Sequence, residues 1–307
     1  MKTTIVTLRP IWYLFSGILI VASIVSLAVW GLKQGIDFTG GSLLVVRFPA
    51  QPAATDVRQT IDQAKLNLGE IVVQPIGSSD VQIRMKTVTE DQHQGILSAL
   101  HAKYGNVTEL SFDAIGPTIG QELRQKSIQG LLIVLAAILI YIAIVFRKVS
   151  FPVQSWKYGV VTIFTAFHDV IVPIGVFSVM GHFYGSEIGT PFIAAILTIL
   201  GYSVTDTVVV MDRIRENLMK KDGTFEEIVS LSVRQTLLRS FSTSMATLLT
   251  LIAIHFWGGT SLREFTLTLI IGIAVGTYSS IFIASPLLVT WQKFANRKKV
   301  VTAKAKA

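Results

Sequence analysis

Cysteine is absent from the 307-residue sequence. Its absence excludes disulfide bonds, thiolate nucleophiles, zinc sites built on thiolates and iron–sulfur clusters. It leaves the redox compartment of the protein open, because a chain without thiols is compatible with oxidising and reducing surroundings.

Charged residues are also scarce, at 15% of the chain, against roughly 25% in soluble globular proteins. Hydrophobic residues make up 51% of the sequence and the mean hydropathy is +0.58, which argues against intrinsic disorder. The net charge of +8 alone would suit a nucleic-acid-binding protein, but so apolar a composition does not. We therefore expect a membrane protein with no nucleic-acid partner.

Six apolar stretches are long enough to cross a membrane as helices, since a span needs about 20 apolar residues. The predicted spans are residues 11–30, 128–146, 158–180, 190–211, 241–257 and 265–289. A secretory signal peptide is an alternative for the first, with a cleavage site at 26–28. Its apolar run exceeds the core of about 7 to 15 residues of a signal peptide, and the flanking aromatic residues Trp12, Tyr13 and Trp30 favour a span.

Basic residues are distributed unevenly between the two sides of the predicted membrane protein. Six spans place both termini on one side, and that side receives 17 of the 27 Lys and Arg residues. They are Lys2, Arg9, Arg147, Lys148, Lys157, the six from Arg213 to Arg239 and the six from Lys293 to Lys306. The two short loops opposite contain only Arg263. The positive-inside rule therefore predicts a cytoplasmic N-terminus (residues 1–10) and a cytoplasmic basic tail (291–307) that contacts anionic membrane lipids.

Residues 31–127, between the first two spans, carry nine basic and ten acidic side chains and are predicted to form a soluble domain outside the cytoplasm. Periodicity predicts strands at 36–48, 71–76, 80–86 and 107–115, with helices at 54–67 and 90–103. The order β-α-β-β-α-β predicts an α+β ferredoxin-like domain, a fold that hosts many functions and identifies none. We expect a docking or substrate-contacting module. No metal site is expected, because His93 and His101 are not three or four residues apart on one helix face.

The rest of the chain, 128–290, is predicted to be a five-span bundle with a cytoplasmic amphipathic segment at 211–238. Thr224 and Glu227 form a capping-box pattern that opens a helix in this segment. An apolar stripe along that helix favours a position on the inner membrane surface.

Two carboxyl groups lie inside predicted spans, where an ionised carboxylate costs about 2.5 to 3.5 kcal/mol even on lenient insertion scales. Asp206 lies in the fourth span and Asp169, preceded by His168, in the third. Tyr202 and Ser203 share a helix face with Asp206 and can hydrogen-bond a carboxyl group. The pattern predicts proton-coupling carboxyl groups. The alternatives are a polar packing contact, a hydrated position near the cytoplasm for Asp206, and a structural pair of Asp169 with His168.

A countercharge for Asp206 is available from Arg239 at the start of the fifth span, although an arginine near a span end also reaches out to water. Hydroxyl residues follow it, and they suit hydrogen bonds between helices. They are Ser240, Ser242, Thr243, Ser244 and Thr247. Gly272 and Gly276 form a GxxxG pattern, which is common in membrane helices. A hydrolase built on His168 and Asp169 lacks a nucleophile, so no catalytic residues and no enzyme activity are expected.

Together these strings resemble the SecF family, the smaller membrane subunits of the SecDF protein-export complex, which is related to the resistance-nodulation-division transporters. The matching strings are Gly35-Ile36-Asp37-Phe38-Thr39-Gly40-Gly41, Gly116-Pro117-Thr118-Ile119-Gly120, His168-Asp169, Gly201-Tyr202-Ser203, Asp206 to Asn217, and Arg239 to Ser244. They occur in order along the chain.

The resemblance implies that Asp206 is a proton carrier, that Arg239 is an essential arginine, and that the Asp37 string joins the outer domain to the membrane. It also implies a SecD-like partner, contact with a SecY-containing channel and unfolded secretory polypeptides as substrates. The expected function is proton-driven translocation or release of these polypeptides at the bacterial cytoplasmic (inner) membrane, with protons as the coupling ion and no cofactor. Motion would reach the outer domain through the Gly40-Gly41 and Gly116-Pro117 connections. The alternatives are a proton-coupled exporter of small amphiphiles and a scaffold without proton chemistry.

Overall fold

The computed structural model describes residues 4–145 and 154–304. The chain forms two compact units. One comprises Leu131–Phe183 together with the described residues before Lys33 and after Thr190, and the other comprises Lys33–Gly130 and Tyr184–Thr190. The basic residues Lys2, Arg147 and Lys148, the last residue of the predicted second span and Lys306 of the tail lie outside the described residues.

Long apolar helices build the first unit, which we call the membrane unit; two of them begin in the second unit, one up to Gly130 and the other at Thr190. They are α1 (Thr4–Thr7), α2 (Arg9–Trp30), α6 (Pro117–Val145), α7 (Ser155–Phe183), α8 (Thr190–Lys220), α9 (Phe225–Trp257), α10 (Arg263–Ser279) and α11 (Ser285–Lys304), with a 3-10 turn at Thr260–Leu262 and a π-helical turn at Ser280–Ala284. Within the described residues, six helical stretches are long and apolar enough to cross a membrane, in agreement with the predicted number. They are Arg9–Trp30, Pro117–Val145, Trp156–Phe183, Thr190–Lys220, Phe225–Trp257 and Arg263–Ala295.

The predicted amphipathic segment at 211–238 is not a separate helix. Its first part continues α8 to Lys220, and its second part is the start of α9, which begins at Phe225 behind the capping box of Thr224 and Glu227. Val229 and Val233 are fully buried in the unit. The second part of the segment is therefore continuous with the predicted fifth span, and its position relative to the membrane surface stays a prediction.

The core of the membrane unit lies where α7, α8, α9 and the sixth span meet. Tyr158, Met211, Val233 and Leu288 are fully buried there. α6 is almost entirely exposed within the described chain, and α2 largely so. Their apolar outer faces therefore suit contact with lipid or with another chain.

The second unit, which we call the outer unit, contains a four-stranded antiparallel sheet and two helices. Its elements are the short helix α3 (Ile36–Thr39), β1 (Gly41–Arg47), α4 (Ala54–Gln63), β2 (Val72–Ile76), β3 (Asp80–Met85), α5 (Glu90–Tyr104) and β4 (Thr108–Ile115). The strand order is β2-β3-β1-β4, and each pair is antiparallel. After α3, the order of elements is the predicted β-α-β-β-α-β.

Successive side chains along each strand point to opposite sides, so the sheet has two faces. Leu44 and Ile83 are fully buried in a core shared with α4 and α5, whereas Leu43 and Arg84 point to the other face. The segment Tyr184–Thr190 covers this second face: Gln74 of β2 donates to the Tyr184 carbonyl, and Arg84 of β3 pairs with Glu187. The sequence did not predict that this segment belongs to the outer unit.

The predicted strand at 36–48 is wrong in its first half. Residues 36–39 form α3, because Ile36 and Phe38 turn inward together and the chain then bends at Gly40 (φ 72°) and Gly41 (φ 122°). Such positive φ values favour glycine. The predicted helix at 54–67 ends at Gln63, and Lys65 and Asn67 have left-handed backbone conformations.

Candidate functional site: two carboxyl groups within the membrane helices

Asp206 is held between three helical segments. It lies on α8 and is half-buried. Its Oδ1 accepts a hydrogen bond from Ser240 Oγ of α9 at 2.6 Å, and its Oδ2 accepts one from Ser280 Oγ in the π-helical turn. Both carboxyl oxygens are therefore bonded to neutral donors on neighbouring segments.

Asp169, on α7, is fully buried and also has hydrogen bonds at both oxygens. Its Oδ1 lies 2.7 Å from His168 Nδ1, and its Oδ2 accepts bonds from Ser279 Oγ at 2.6 Å and from Ser203 Oγ. His168 Nε2 is buried and has no hydrogen-bond partner among the described residues. Asp169 and His168 thus form the predicted pair, which two serines from α8 and α10 complete.

Consecutive serines connect the two carboxyl groups. Ser279 ends α10 and bonds Asp169, and Ser280 begins the π-helical turn and bonds Asp206. Single π-helical turns within helices are rare and are often found at functional sites. The sixth span therefore contacts both carboxyl groups through two adjacent residues.

The predicted partners of Asp206 on its own helix bind elsewhere. Ser203 donates to Asp169, and the Tyr202 hydroxyl donates to Ser244 Oγ at 3.0 Å. Thr277 Oγ1 donates to the same Ser244 atom at 2.6 Å. Ser203 and Tyr202 face α7 and α9, so they extend the hydrogen-bond cluster without contacting Asp206.

Arg239 is not the countercharge of Asp206 in this conformation. Its side chain is exposed, and no ion pair joins it to Asp206 in the part of the chain that the structure describes. Consecutive residues point about 100° apart around a helix. Because Ser240 faces Asp206, Arg239 points away from it and is available to another chain.

Glycines bring the sixth span close to α8. A Cβ atom on Gly276 would lie 3.3 Å from Ser203 Cβ and 3.5 Å from Asp169 Oδ2, and one on Gly272 would overlap Ile199. The GxxxG pattern therefore permits the approach that brings Ser279 and Ser280 within reach of the carboxyl groups.

The glycine string of the outer unit packs against the start of α6. A Cβ atom on Gly40 would lie 2.8 Å from Pro117 Cα, and one on Gly41 would lie 2.8 Å from the Met85 carbonyl oxygen. Gly116, directly before Pro117, has open space at its Cβ position. The structure thus brings Gly40 and Pro117 together. Gly40 and Gly41 are both required to be glycine, because each packs closely against backbone atoms and each has a positive φ.

Asp37 of the same string caps a membrane helix. Its Oδ2 accepts a hydrogen bond of 2.6 Å from the backbone N–H of Thr190, the first residue of α8. Carboxylates stabilise helix N-termini through the unpaired N–H groups and the helix dipole. Asp37 therefore contacts the helix that carries Asp206.

The histidines of the outer unit have local partners. His93 stacks on Phe112 and lies 3.3 Å from Glu90 and 3.4 Å from Glu109, and His101 Nδ1 lies 2.9 Å from the Gly105 carbonyl. Hydrogen bonds from Gln94 and His93 lower the pKa of Glu90. Among the described residues, no group of three or more His, Cys, Asp or Glu side chains is arranged to hold a metal ion. The expectation of no metal stays a prediction.

Comparison with known families identifies the chain. The profile of the family described as "Protein export membrane protein SecD/SecF, C-terminal" matches residues 96–294, and that of the "SecD/SecF GG Motif" matches residues 25–48. The chain belongs to the SecD/SecF family. All the membrane-helix site residues lie within the first match, and Asp37, Gly40 and Gly41 lie within the second.

Full-length relatives place the chain on the SecF side of the SecD/SecF family. It is 41% identical over 301 residues to the protein translocase subunit SecF of Thermobaculum terrenum, covering 94% of this chain and 93% of that relative. It is 35% identical over 301 residues to the protein translocase subunit SecDF of Thermus thermophilus, covering 96% of this chain and 39% of that protein. The crystal structure of SecDF from Thermus thermophilus matches with a TM-score of 0.79 at 33% identity, covering 94% of this chain and 38% of the longer one.

Within the SecD/SecF match, the sequence did not single out Ser279 and Ser280, and it assigned Ser240 only to helix packing. Serines are frequent in membrane helices, so their presence alone identifies no site. The one available signal was a pair of adjacent serines in an otherwise apolar span.

Proposed function

We propose that this chain is an accessory subunit of the Sec protein translocase that uses the proton motive force, together with a SecD-like subunit, to promote translocation and release of secreted polypeptides. Membership of the SecD/SecF family supports the assignment to the translocase. The observation that carries the proton-driven part is Asp206, a carboxyl group in a membrane helix that is bonded at both oxygens.

Protonation of Asp206 would change its hydrogen bonds in a defined way. An ionised carboxylate only accepts, whereas a protonated carboxyl group also donates one hydrogen bond. The hydroxyl of Ser280 has a second acceptor, the Thr277 carbonyl at 3.1 Å. On protonation, Ser280 can therefore donate to its own helix and accept from Asp206. The contact between α8 and the π-helical turn then depends on the proton.

Asp169 has the same arrangement, because Ser279 Oγ lies 3.1 Å from the Gly276 carbonyl as well as 2.6 Å from Asp169. The adjacent residues Ser279 and Ser280 can therefore each change acceptor when the carboxyl group that they bond is protonated, and these two carboxyl groups lie on different helices. We infer that Asp169, His168 and Ser203 form a second part of the proton-coupling site, while Tyr202 and Ser244 hold α9 to it.

The partner we propose is a SecD-like subunit. The SecDF relative and the SecDF structure contain this chain's counterpart within a longer chain of which it spans 38–39%. The exposed Arg239, directly before Ser240, is available to pair with a group on that partner. A SecY-containing channel and unfolded secretory polypeptides complete the proposed assembly.

We propose that both termini are cytoplasmic and that the outer unit is extracytoplasmic, at the bacterial inner membrane, which the distribution of basic residues supports. The outer unit is proposed to be ferredoxin-like, which the element order and the strand order β2-β3-β1-β4 support. The proposed role requires no enzymatic step and no cofactor other than protons.

Replacing Asp206 by Asn tests the proposal, because Asn keeps the shape of the side chain but cannot exchange a proton. Vesicles containing the protein, the SecD-like subunit and the Sec channel should lose proton uptake and the gradient-dependent part of export, while ATP-driven export continues. Asp222→Asn is the matched control, since Asp222 is exposed in the link between α8 and α9 and should behave like the parent. If Asp206→Asn retains full proton uptake and export, the protein is a scaffold and not a proton-coupled subunit.

A further inference from the structure

The segment Tyr184–Thr190 is bound to the outer unit by backbone hydrogen bonds. Gly35 N donates to the Ile188 carbonyl at 2.9 Å, and Ile188 N donates to the Lys33 carbonyl at 2.7 Å. Gln34 and Ile188 form a parallel bridge between these two bonds. Ile188 is 8% exposed. The segment is therefore docked along its backbone, unlike an ordinary surface loop.

Arg84 holds the same segment through its side chain. It projects from β3 on the helix-free face and donates to Glu187 Oε1 at 2.7 Å, to Thr39 Oγ1 at 2.7 Å and to the Gln34 carbonyl at 3.2 Å. The Glu187 carboxylate is only 10% exposed and lies 3.5 Å from Lys33 Nζ as well. A carboxylate this deeply buried needs its cations, since an uncompensated buried charge is strongly destabilising.

The Arg84–Glu187 pair and Asp37 both lie close to the beginning of α8. Glu187 is three residues before Thr190, and the N–H of Thr190 is bonded to Asp37. Asp206 follows 16 residues later on the same helix, about 24 Å at 1.5 Å per residue. Asp37 and the segment that Arg84 holds therefore meet at the first residue of α8.

We propose that Arg84, Glu187 and Asp37 are positioning residues that form a connection between the sheet and the segment leading into α8, and that gradient-dependent export requires this connection. This inference rests on the proposed function. Arg84 lies outside both ranges that match the SecD/SecF family profiles, and its role follows from the contacts alone.

Arg84→Ala and Glu187→Ala test the connection in the reconstituted vesicles. Both variants should retain proton uptake, because Asp206 and its serines are unchanged, but gradient-dependent export should fall to the level measured without a gradient. Arg58→Ala is the matched control, since it removes only an exposed pair of 3.9 Å with Asp62. Export at the parental level in Arg84→Ala would overturn the proposal. Unchanged proton uptake in Asp206→Asn would instead overturn the proposed function, so the two failures are distinguishable.

A covalent bridge distinguishes a lost connection from a damaged fold. The chain contains no cysteine, so Gln34→Cys with Ile188→Cys introduces a single possible disulfide. Adjacent strands lie about 4.8 Å apart, within the range of about 4.4 to 6.8 Å that a disulfide joins. Oxidation should leave export intact in the otherwise parental chain and restore it in the Arg84→Ala chain. Loss of export on oxidation, or no restoration in Arg84→Ala, would show that export does not depend on a fixed connection between this segment and the sheet, and would overturn the proposal.

Discussion

At the scale of single residues, serine hydroxyl groups bond both carboxyl groups, and His168 also lies against Asp169. Ser240 and Ser280 bond Asp206, and Ser203 and Ser279 bond Asp169. A buried cation would be left uncompensated each time its carboxylate was protonated, at a large cost in free energy. A serine hydroxyl rotates and remains satisfied in both states. This choice of donors is what a reversible protonation site requires.

Ser280→Ala should impair proton coupling without removing the carboxyl group. Loss of a hydrogen bond to a charged group costs about 1.5 to 3 kcal/mol, or about 10- to 150-fold in an equilibrium constant. Because the ionised state loses this bond, proton release becomes less favourable and proton uptake over repeated cycles should fall by at least about tenfold. Ser230→Ala is the control, because Ser230 Oγ is buried with no hydrogen-bond partner among the described residues. Ser280→Thr keeps the hydroxyl and should recover most of the activity. Equal proton uptake in Ser280→Ala and Ser230→Ala would contradict a role for the Ser280 bond.

At the scale of elements, the geometry of the site depends on the close approach of α10 to α8. Gly272 lies against Ile199, which is fully buried, and Gly276 lies against Ser203. The π-helical turn follows directly and presents Ser280 to Asp206. The position of the two serines is therefore set by two glycines that lie about one to two turns before them on the same span.

Gly272→Ala should destabilise the membrane unit. Its Cβ would overlap the branched side chain of Ile199, which has no free volume to move into, and overpacking of this kind costs about 1 to 3 kcal/mol. The matched control is Gly201→Ala on α8, where the new Cβ meets no atom within 4 Å. Thermal unfolding in detergent, followed by tryptophan fluorescence, should show a lower midpoint for Gly272→Ala only. Adding Ile199→Ala should recover part of the loss, and a midpoint equal to that of the control would contradict the packing argument.

Element prediction succeeded where a local pattern determines the structure. Long apolar runs gave the six spans, although α6, α8 and α9 extend about 9 to 16 residues beyond the predicted ends. The alternation and turn residues gave the four strands, with the ends of β2, β3 and β4 correct to within one residue. It failed at 36–39, where the apolar residues Ile36 and Phe38 resemble a strand but form a helical turn that Gly40 ends. At 211–238 the capping box gave the start of α9, but the sequence does not show that this helix continues unbroken into the fifth span.

At the scale of the whole molecule, the two carboxyl groups and the pairing of Asp169 with His168 could be predicted, but the serine partners of the carboxyl groups could not. Asp169 and Asp206 stand out because an ionisable side chain in an apolar run is costly. Their serine donors come from segments 34 to 110 residues away, and no spacing rule connects them. Asp37 and Thr190 are separated even further along the chain, by 153 residues. Such pairs follow from packing of distant segments, which a single sequence does not encode in any local pattern.

The orientation of the whole chain can be tested with single cysteines, because the parent has none. Ser78 is exposed in the turn between β2 and β3, and Asp222 is exposed between α8 and α9. We expect a membrane-impermeant thiol reagent to label Ser78→Cys in cells with a permeable outer envelope, and Asp222→Cys only after the inner membrane is opened. Both should be labelled in detergent.

The two labelling sites are separated by α6, α7 and α8, and three crossings must place them on opposite sides. The reverse labelling pattern would put the outer unit in the cytoplasm and contradict the positive-inside argument. Labelling of both positions from the same side would mean that one of the three helices does not cross the membrane. In that case Asp206 would lose the apolar surroundings on which its proposed role in proton coupling depends.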